Sequence, residues 1–158
     1  MSLEKIIPPE AISAFCDRLR KQGARIVFTN GVFDLLHPGH VQYLTAARNY
    51  GSHLIVAVNS DDSARRIKGR ERPLVPLAQR MEVLAALSAV SAVSWFEEDT
   101  PLSIIRAVRP DVLIKGGDWK VQQIVGKEFV ESYGGKVETI PYLDGSSTTN
   151  IVERILKS

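Results

Sequence analysis

His37 and His40 stand three residues apart around Pro38 and Gly39 in "NGVFDLLHPGH", directly after the apolar run "RIVFT". Proline fixes a φ suited to a first helical turn, so a helix is expected to start near His37 and run to Tyr50. The two imidazoles then share one side of that turn, beside free main-chain N–H groups at the positive end of the helix dipole. Gly39 removes a side chain at this point, and Gly31 would let a ligand approach the main chain earlier in the loop. Imidazole N–H donors beside bare amides suit an anion, above all a polyphosphate. A metal clip fits poorly, because zinc needs more ligands than two histidines supply, no cysteine is near, and His53 opens a different apolar run. No residue is therefore assigned to a metal.

Other polar groups follow the remaining apolar runs. "SARRIKGRERP" gathers Arg65, Arg66, Lys68, Arg70 and Arg72, offset in part by Asp61, Asp62 and Glu71. Such a run is ordinarily a solvated face, but after a strand it could also close over phosphates. "LIKGGDWK" sets Lys115 before Gly116 and Gly117, and the residues alone leave open a structural turn or a backbone that a ligand approaches closely. "DGSSTTNIVERI" places a series of hydroxyl residues ahead of an apolar helical pattern. One of them must cap that helix, and Asn150 with Glu153 could form a variant capping box. Asp34, an acid among phosphate binders, is expected to hydrogen-bond hydroxyl groups or orient a neighbour, as are Asn59 and Asp61 in "VNSDD".

The elements that must hold these groups alternate along the chain. "RIVFT" (25–29), "HLIVAVN" (53–59), "AVSWF" (92–96), "DVLIK" (111–115) and "KVETI" (136–140) read as strands covered on both faces. Helical patterns lie between them: "GHVQYLTAARNYG" with Val41, Leu44 and Ala47 in line, "PLAQRMEVLAALSAV" with Met81, Leu84 and Leu87, "TPLSIIRAVRP" with Thr100 as cap and Pro101 at the first helical position, then "VQQIVGKEFVESYGG" and "NIVERILKS". Strand and helix in alternation imply a Rossmann-like, doubly wound α/β parallel sheet of about five strands with helices on both faces, and a ligand at the strands' carboxyl ends. The 61–75 stretch reads as a loop that orders on binding. At 158 residues the chain is expected to be one domain, a helical extension over 1–24 preceding a catalytic core over 25–158.

Composition narrows the function classes. Twenty Lys and Arg against 18 Asp and Glu give a net charge of +2, which does not signal a nucleic-acid partner. Cys16, the single cysteine, is expected as a small buried apolar group. No run reaches the roughly 18 apolar residues that span a bilayer, and the start lacks a signal peptide's apolar core, so a soluble cytoplasmic protein without a membrane partner is expected. No G-x-x-x-x-G-K-[ST], strand-following G-x-G-x-x-G or G-x-S-x-G occurs.

"GVFDLLHPGH" resembles the H-x-G-H signature of the cytidylyltransferase-like nucleotidyltransferases. The series "TNGVFDLLHPGHVQYLTAAR", "VAVNSDDSARRIKG", "RPLVPLAQR", "FEEDTP", "PDVLIKGGDW" and "GSSTTNIVERI" resembles, in order, the adenylyltransferase domain of the ADP-heptose synthase family. That resemblance implies transfer of AMP from ATP to D-glycero-β-D-manno-heptose 1-phosphate, with Mg²⁺. It implies His37, His40 and Lys68 as catalytic groups; Asn30, Gly31, Val32, Phe33, His37, Gly39, His40, Lys115, Gly117, Asp118, Ser147, Thr148 and Thr149 on ATP; and Asp34, Asn59, Asp61, Arg65 and Arg72 on the sugar phosphate. "PYLDGSST" departs from the R-T-E-G-I-S-T of glycerol-phosphate cytidylyltransferases, which weighs against that branch. The alternatives are a cytidylyl- or adenylyltransferase for another phosphorylated acceptor, such as glycerol 3-phosphate, and a non-catalytic nucleotide sensor. The resemblance further implies a homodimer and a separate heptose 7-phosphate kinase supplying the acceptor.

Overall fold

Five short aliphatic runs build the sheet: β1 (Ile26–Gly31), β2 (His53–Asn59), β3 (Ala92–Phe96), β4 (Val112–Gly116) and β5 (Lys136–Ile140). The computed structural model describes residues 2–142 and 147–158; residues 143–146, within the "PYLDGSST" segment, lie outside the described residues. All strand pairs are parallel and the order is β3-β2-β1-β4-β5. The chain therefore winds outward one way from β1 and then the other way from β4, which puts the topological switch between these two strands.

The strand period of two divides the core. Val27, Leu54, Val56, Val58, Val93, Val112 and Ile114 face one side, while Ile26, Phe28, Ile55, Ala57, Ala92 and Leu113 face the other. The first face is covered by α2 (Pro38–Arg48) and α4 (Leu77–Ala85), through Tyr43, Leu44, Ala47, Met81, Leu84 and Ala85. The second is covered by α1 (Pro9–Lys21), α5 (Leu102–Val108) and α6 (Lys127–Ser132). Two further helices follow strands, α3 (Asp61–Lys68) directly after β2 and α7 (Thr148–Lys157) after β5.

Several expectations shift. The buried stripe of α2 runs through Tyr43 instead of Val41, which is exposed. Helix α5 begins one residue late, with Pro101 and not Thr100 preceding its first turn. "VQQIVGKEFVESYGG" is broken into a 3₁₀ turn (Val121–Gln123) and α6 because Gly126 adopts φ 90° between them. The 61–75 stretch is not a bare loop: Ser60 caps α3 by accepting the Ser63 N–H at 3.1 Å, with Asp61 and Asp62 in the first turn and Arg65, Arg66 and Lys68 in the last. That charge order complements the helix dipole at both ends.

The N-terminal segment is integral. Ile6 bridges to Val93, and Ile12 and Cys16 are fully buried beside Phe28, Ile55 and Ala92. Burial raises the Cys16 thiol pKa to about 11. Among the described residues no helix is long and apolar enough to cross a membrane.

Candidate active site

β1 and β4 pair only at Val27–Val112 and Phe28–Leu113, then part before their carboxyl ends. The opening between them has a definite floor. Tyr43 of α2 reaches into it, its Oη 2.6 Å from Thr29 Oγ1 and donating to the Ile114 carbonyl at 3.5 Å. Burial pushes its phenol pKa upward, so it stays a neutral hydrogen-bonding group. The crevice at the switch point is thus held open by a buried phenol that bridges the two strands.

His37 and His40 form one rim. Pro38 opens α2, as its fixed φ favours, and His37 precedes it with an extended backbone. Gly39 N–H donates to His37 Nδ1 at 3.1 Å, and His37 N–H donates to His40 Nδ1 at 3.4 Å. Each Nδ1 is an acceptor, so each ring carries its proton on Nε2 and offers that N–H outward from the cap. The ring centroids are 3.9 Å apart. Burial lowers the pKa of both, and for His40, where the charge of His37 adds to burial, it falls to about 4. Both are neutral donors at pH 7.

Phe33 supports His40 from below, their centroids 5.5 Å apart, and holds a left-handed φ of 51°. A side chain at Gly31 would stand 3.0 Å from the Phe33 ring. The Phe33 ring therefore lies against the side of Gly31 where a side chain would stand. The strained Phe33 backbone and the small Gly31 together set the height of His40.

The acidic residues act as clamps. Asp34 is buried, and its carboxylate accepts from Leu74 N–H and Val75 N–H at 2.9 Å and from Arg72 Nη1 at 3.3 Å. Asp34 and Arg72 thus hold each other and the 72–75 segment. Asn59 is likewise buried, its Nδ2 donating to Ser63 Oγ at 3.0 Å. Asp61 accepts from Leu77 N–H at 2.9 Å and Arg80 Nη2 at 2.8 Å. Arg65 pairs with Asp62 on its own helix, and Arg66 with Asp99 beyond β3.

Arg80 joins these pieces and was missed from sequence. Its side chain is fully buried, and its guanidinium donates to the carbonyls of Val75 (2.8 Å), Val32 (2.6 Å) and Asn59 (3.0 Å) as well as to Asp61. One planar fork thereby fixes the loop after β1, the end of β2, the start of α3 and the segment before α4. A signal existed: Arg80 falls on the Leu77–Leu84 stripe of α4, where an apolar residue is the rule.

Across the crevice stand the cations. Lys68 ends α3 and is exposed, and it lies near enough to Lys115 on β4 that, after burial, its charge further lowers the Lys115 pKa. Lys115 Nζ stands 5.3 Å over the Trp119 ring, and Asp118 is exposed beside it. Asn30 and Val32 are half-buried at the end of β1. On α7, Ser147, not Asn150, is the cap, accepting the Asn150 N–H at 3.0 Å. Thr148 Oγ1 donates to the Leu35 carbonyl at 3.0 Å, which ties α7 to the histidine loop, and Thr149 is exposed. The structure therefore brings His37, His40, Lys68, Lys115 and the α7 start to one end of the sheet, around the β1–β4 opening.

The chain is similar to several known proteins. The cytidylyltransferase-like family model matches residues 28–154. The chain is 54% identical over 151 residues to a bifunctional protein HldE of Geotalea uraniireducens, covering 96% of this chain and 31% of that protein. It is 57% identical over 136 residues to the protein of the same name in Alcanivorax borkumensis, covering 86% of this chain and 29% of that protein. The chain thus spans about three tenths of the relatives it matches. Among solved structures it is similar to a lipopolysaccharide core biosynthesis protein from Thermoplasma volcanium GSS1, with a TM-score of 0.65 and 26% identity over 78% of this chain and 100% of that one. A pantoate-beta-alanine ligase from Francisella tularensis shares the fold, with a TM-score of 0.62 and 16% identity over 97% of this chain and 79% of that one.

Proposed function

The chain belongs to the cytidylyltransferase-like family, and from that premise we propose that it transfers AMP from ATP to D-glycero-β-D-manno-heptose 1-phosphate, releasing pyrophosphate and ADP-heptose in the cytoplasm for lipopolysaccharide inner-core synthesis. The observation that carries this reading is the pair of neutral imidazoles, each with Nδ1 occupied and Nε2–H free to donate, at the start of α2 beside the β1–β4 opening. A sugar phosphate oxygen is already ionised at neutral pH, so no protein nucleophile or strong base is required. The oxygen attacks the α-phosphorus in line; a new P–O bond forms as the bond to the bridging α–β oxygen breaks, and the electron pair leaves with pyrophosphate. What the protein supplies is position and charge stabilisation on the leaving phosphates.

In this reading the Nε2–H groups of His37 and His40, on the turn where Gly39 carries no side chain, and Lys68 with Lys115 meet the triphosphate. Asn30, Val32, Phe33, Gly117, Asp118 and the Ser147–Thr149 turn line the nucleotide's course. Gly31, Asp34, Asn59, Asp61 and Arg72 act through the clamps that hold this surface in place. Mg²⁺ would neutralise the shifting phosphate charge. Among the described residues no group of three or more His, Cys, Asp or Glu side chains is placed to hold a metal ion, so the triphosphate and water are the ligands that suit it. The acceptor must come from a kinase acting on the sugar, and the word bifunctional in the relatives' name, with most of their length outside the match, is compatible with a second activity in those proteins.

The test is pyrophosphate release across a panel of nucleotides and phosphorylated acceptors. Release with ATP and the heptose 1-phosphate, well above that with CTP or glycerol 3-phosphate, is the expected result. Release only with another acceptor would move the chain to another branch of the family, and ATP binding without release in any combination would make it a nucleotide sensor.

A further inference from the structure

Gly116 is a glycine with no backbone reason to be one, since its φ lies outside the left-handed range. What demands the missing side chain is Tyr142: a methyl at Gly116 would stand 2.7 Å from its Cε1 and 2.8 Å from its Cζ. At Gly117 the same ring would be 3.1 Å away through Cε2. The Tyr142 ring thus spans Gly116, the last residue of β4, and Gly117 after it, seated on bare peptide. Its other neighbour is the crevice floor, with the Tyr43 centroid 5.8 Å off. Tyr142 is nevertheless 53% exposed, and Trp119, which also adjoins Gly117, is 50% exposed. Two large aromatic side chains therefore remain half in water at the mouth of the crevice, one of them on a shelf that only glycine allows.

We propose that Tyr142 is the stacking platform for the nucleobase and that its aromatic surface, extended toward Trp119, favours a purine over a pyrimidine nucleotide. The glycine shelf supports the ring from Gly116 and Gly117, and the exposed half of the ring is the surface that a planar ligand would meet. A nucleotide whose phosphates meet the α2 start crosses the switch point toward β4 and β5, and Tyr142 follows β5 directly. Base–aromatic stacking tolerates every base, so discrimination comes from overlap area, which is larger for the fused rings of adenine than for cytosine. The inference rests on the proposed nucleotide site and names its specificity residue.

The experiment compares wild type with Tyr142→Phe, Tyr142→Ala and Gly116→Ala, by steady-state kinetics with ATP and CTP and by calorimetric titration with ATP. Tyr142→Ala is expected to raise KM and Kd for ATP about tenfold or more, with the loss falling on KM and not on kcat, and to narrow the ATP-to-CTP ratio of kcat/KM. Tyr142→Phe keeps the ring and should retain the wild-type KM. Gly116→Ala displaces the ring without removing it, so it should weaken ATP similarly, and the double variant should be no worse than Tyr142→Ala. Unchanged ATP affinity in Tyr142→Ala overturns the proposal, as does an equal loss for ATP and CTP. If wild type binds ATP through Tyr142 but transfers nothing, the platform stands and the transfer reading falls; if wild type does not bind ATP, both fall.

Discussion

In the proposed reaction His40 is the donor to test first, because its cap geometry leaves Nε2–H as its donor and the Phe33 ring lies beside it. Removing one preorganised donor from a phosphoryl or acyl transfer site typically costs about 10² to 10³ in turnover. His40→Ala should therefore lower kcat by that order while thermal unfolding moves little, since the imidazole is partly exposed; a fully active variant would take His40 out of the mechanism. The same ring carries a pH signature. In the unfolded chain it titrates near the ordinary 6.5, in the folded protein at about 4, so above 6.5 it is neutral in both states and contributes nothing to pH dependence. As pH falls from 6.5 toward 4 the unfolded state takes up a proton that the folded state refuses, and stability drops over that window before levelling below it. His37 and His53, both lowered by burial first, act in the same direction. Urea midpoints measured from pH 7.5 to 4 should fall for wild type and fall less steeply for His40→Gln; identical slopes would refute the depressed pKa.

At the scale of elements, the site is only as well placed as the clamp around Arg80. Four partners on different segments share one guanidinium, and lysine, with a single ammonium on a flexible stem, cannot reproduce that fork. Arg80→Lys leaves buried carbonyls without a donor and Asp61 with the Leu77 N–H alone, so a loss of about 3 kcal/mol or more is expected in urea unfolding, together with a fall in pyrophosphate release. A variant that kept both would show that the loops after β1 and β2 hold themselves. This clamp also marks where reading the sequence stops. The strands were legible because β-branched runs bounded by polar residues have one outcome in a sheet covered on both faces, and the α2 start was legible because Pro38 and two histidines concentrate a local signal. Helix α3 was not, since it buries only Ser63 and Ala64 and so has no apolar stripe; only its cap and its charge order announce it. Gly31 and Gly116 told that a side chain was forbidden, but not that Phe33 and Tyr142, one near and one distant in sequence, would fill the space. That Asp34 would hold residues 72–75, some forty positions along the chain, is a contact only the fold reveals.

For the molecule as a whole, the question is whether α1 is attached to the core or part of it. The second face of the sheet answers it: Phe28, Ile55, Ala57 and Ala92 are fully buried, and Ile12 and Cys16 of α1 lie in the same cluster, with Phe15 and Leu19 packed at its edge. Arg20 strengthens the join, donating through Nη2 to the carbonyls of Val108 and Arg109 at the end of α5. Opening α1 alone would take Ile12 out of this cluster and uncover part of Phe28 and Ile55, at about 1.5 to 3 kcal/mol for each large side chain fully exposed, which is a sizeable share of a small domain's stability. One cooperative transition, with no separate melting of α1, is therefore expected. Cys16 reports on this directly, because as the single cysteine, buried and with its thiol pKa raised to about 11, it reacts with a thiol reagent only when its environment opens. The extent of Cys16 labelling in brief pulses across a urea series should give the same midpoint as tryptophan fluorescence, to which Trp95 on β3 contributes. Ile12→Ala should shift both midpoints together, by about 2 to 5 kcal/mol in unfolding free energy. A labelling midpoint at distinctly lower urea than the fluorescence midpoint would detach α1 from the fold and leave the sheet stable without it.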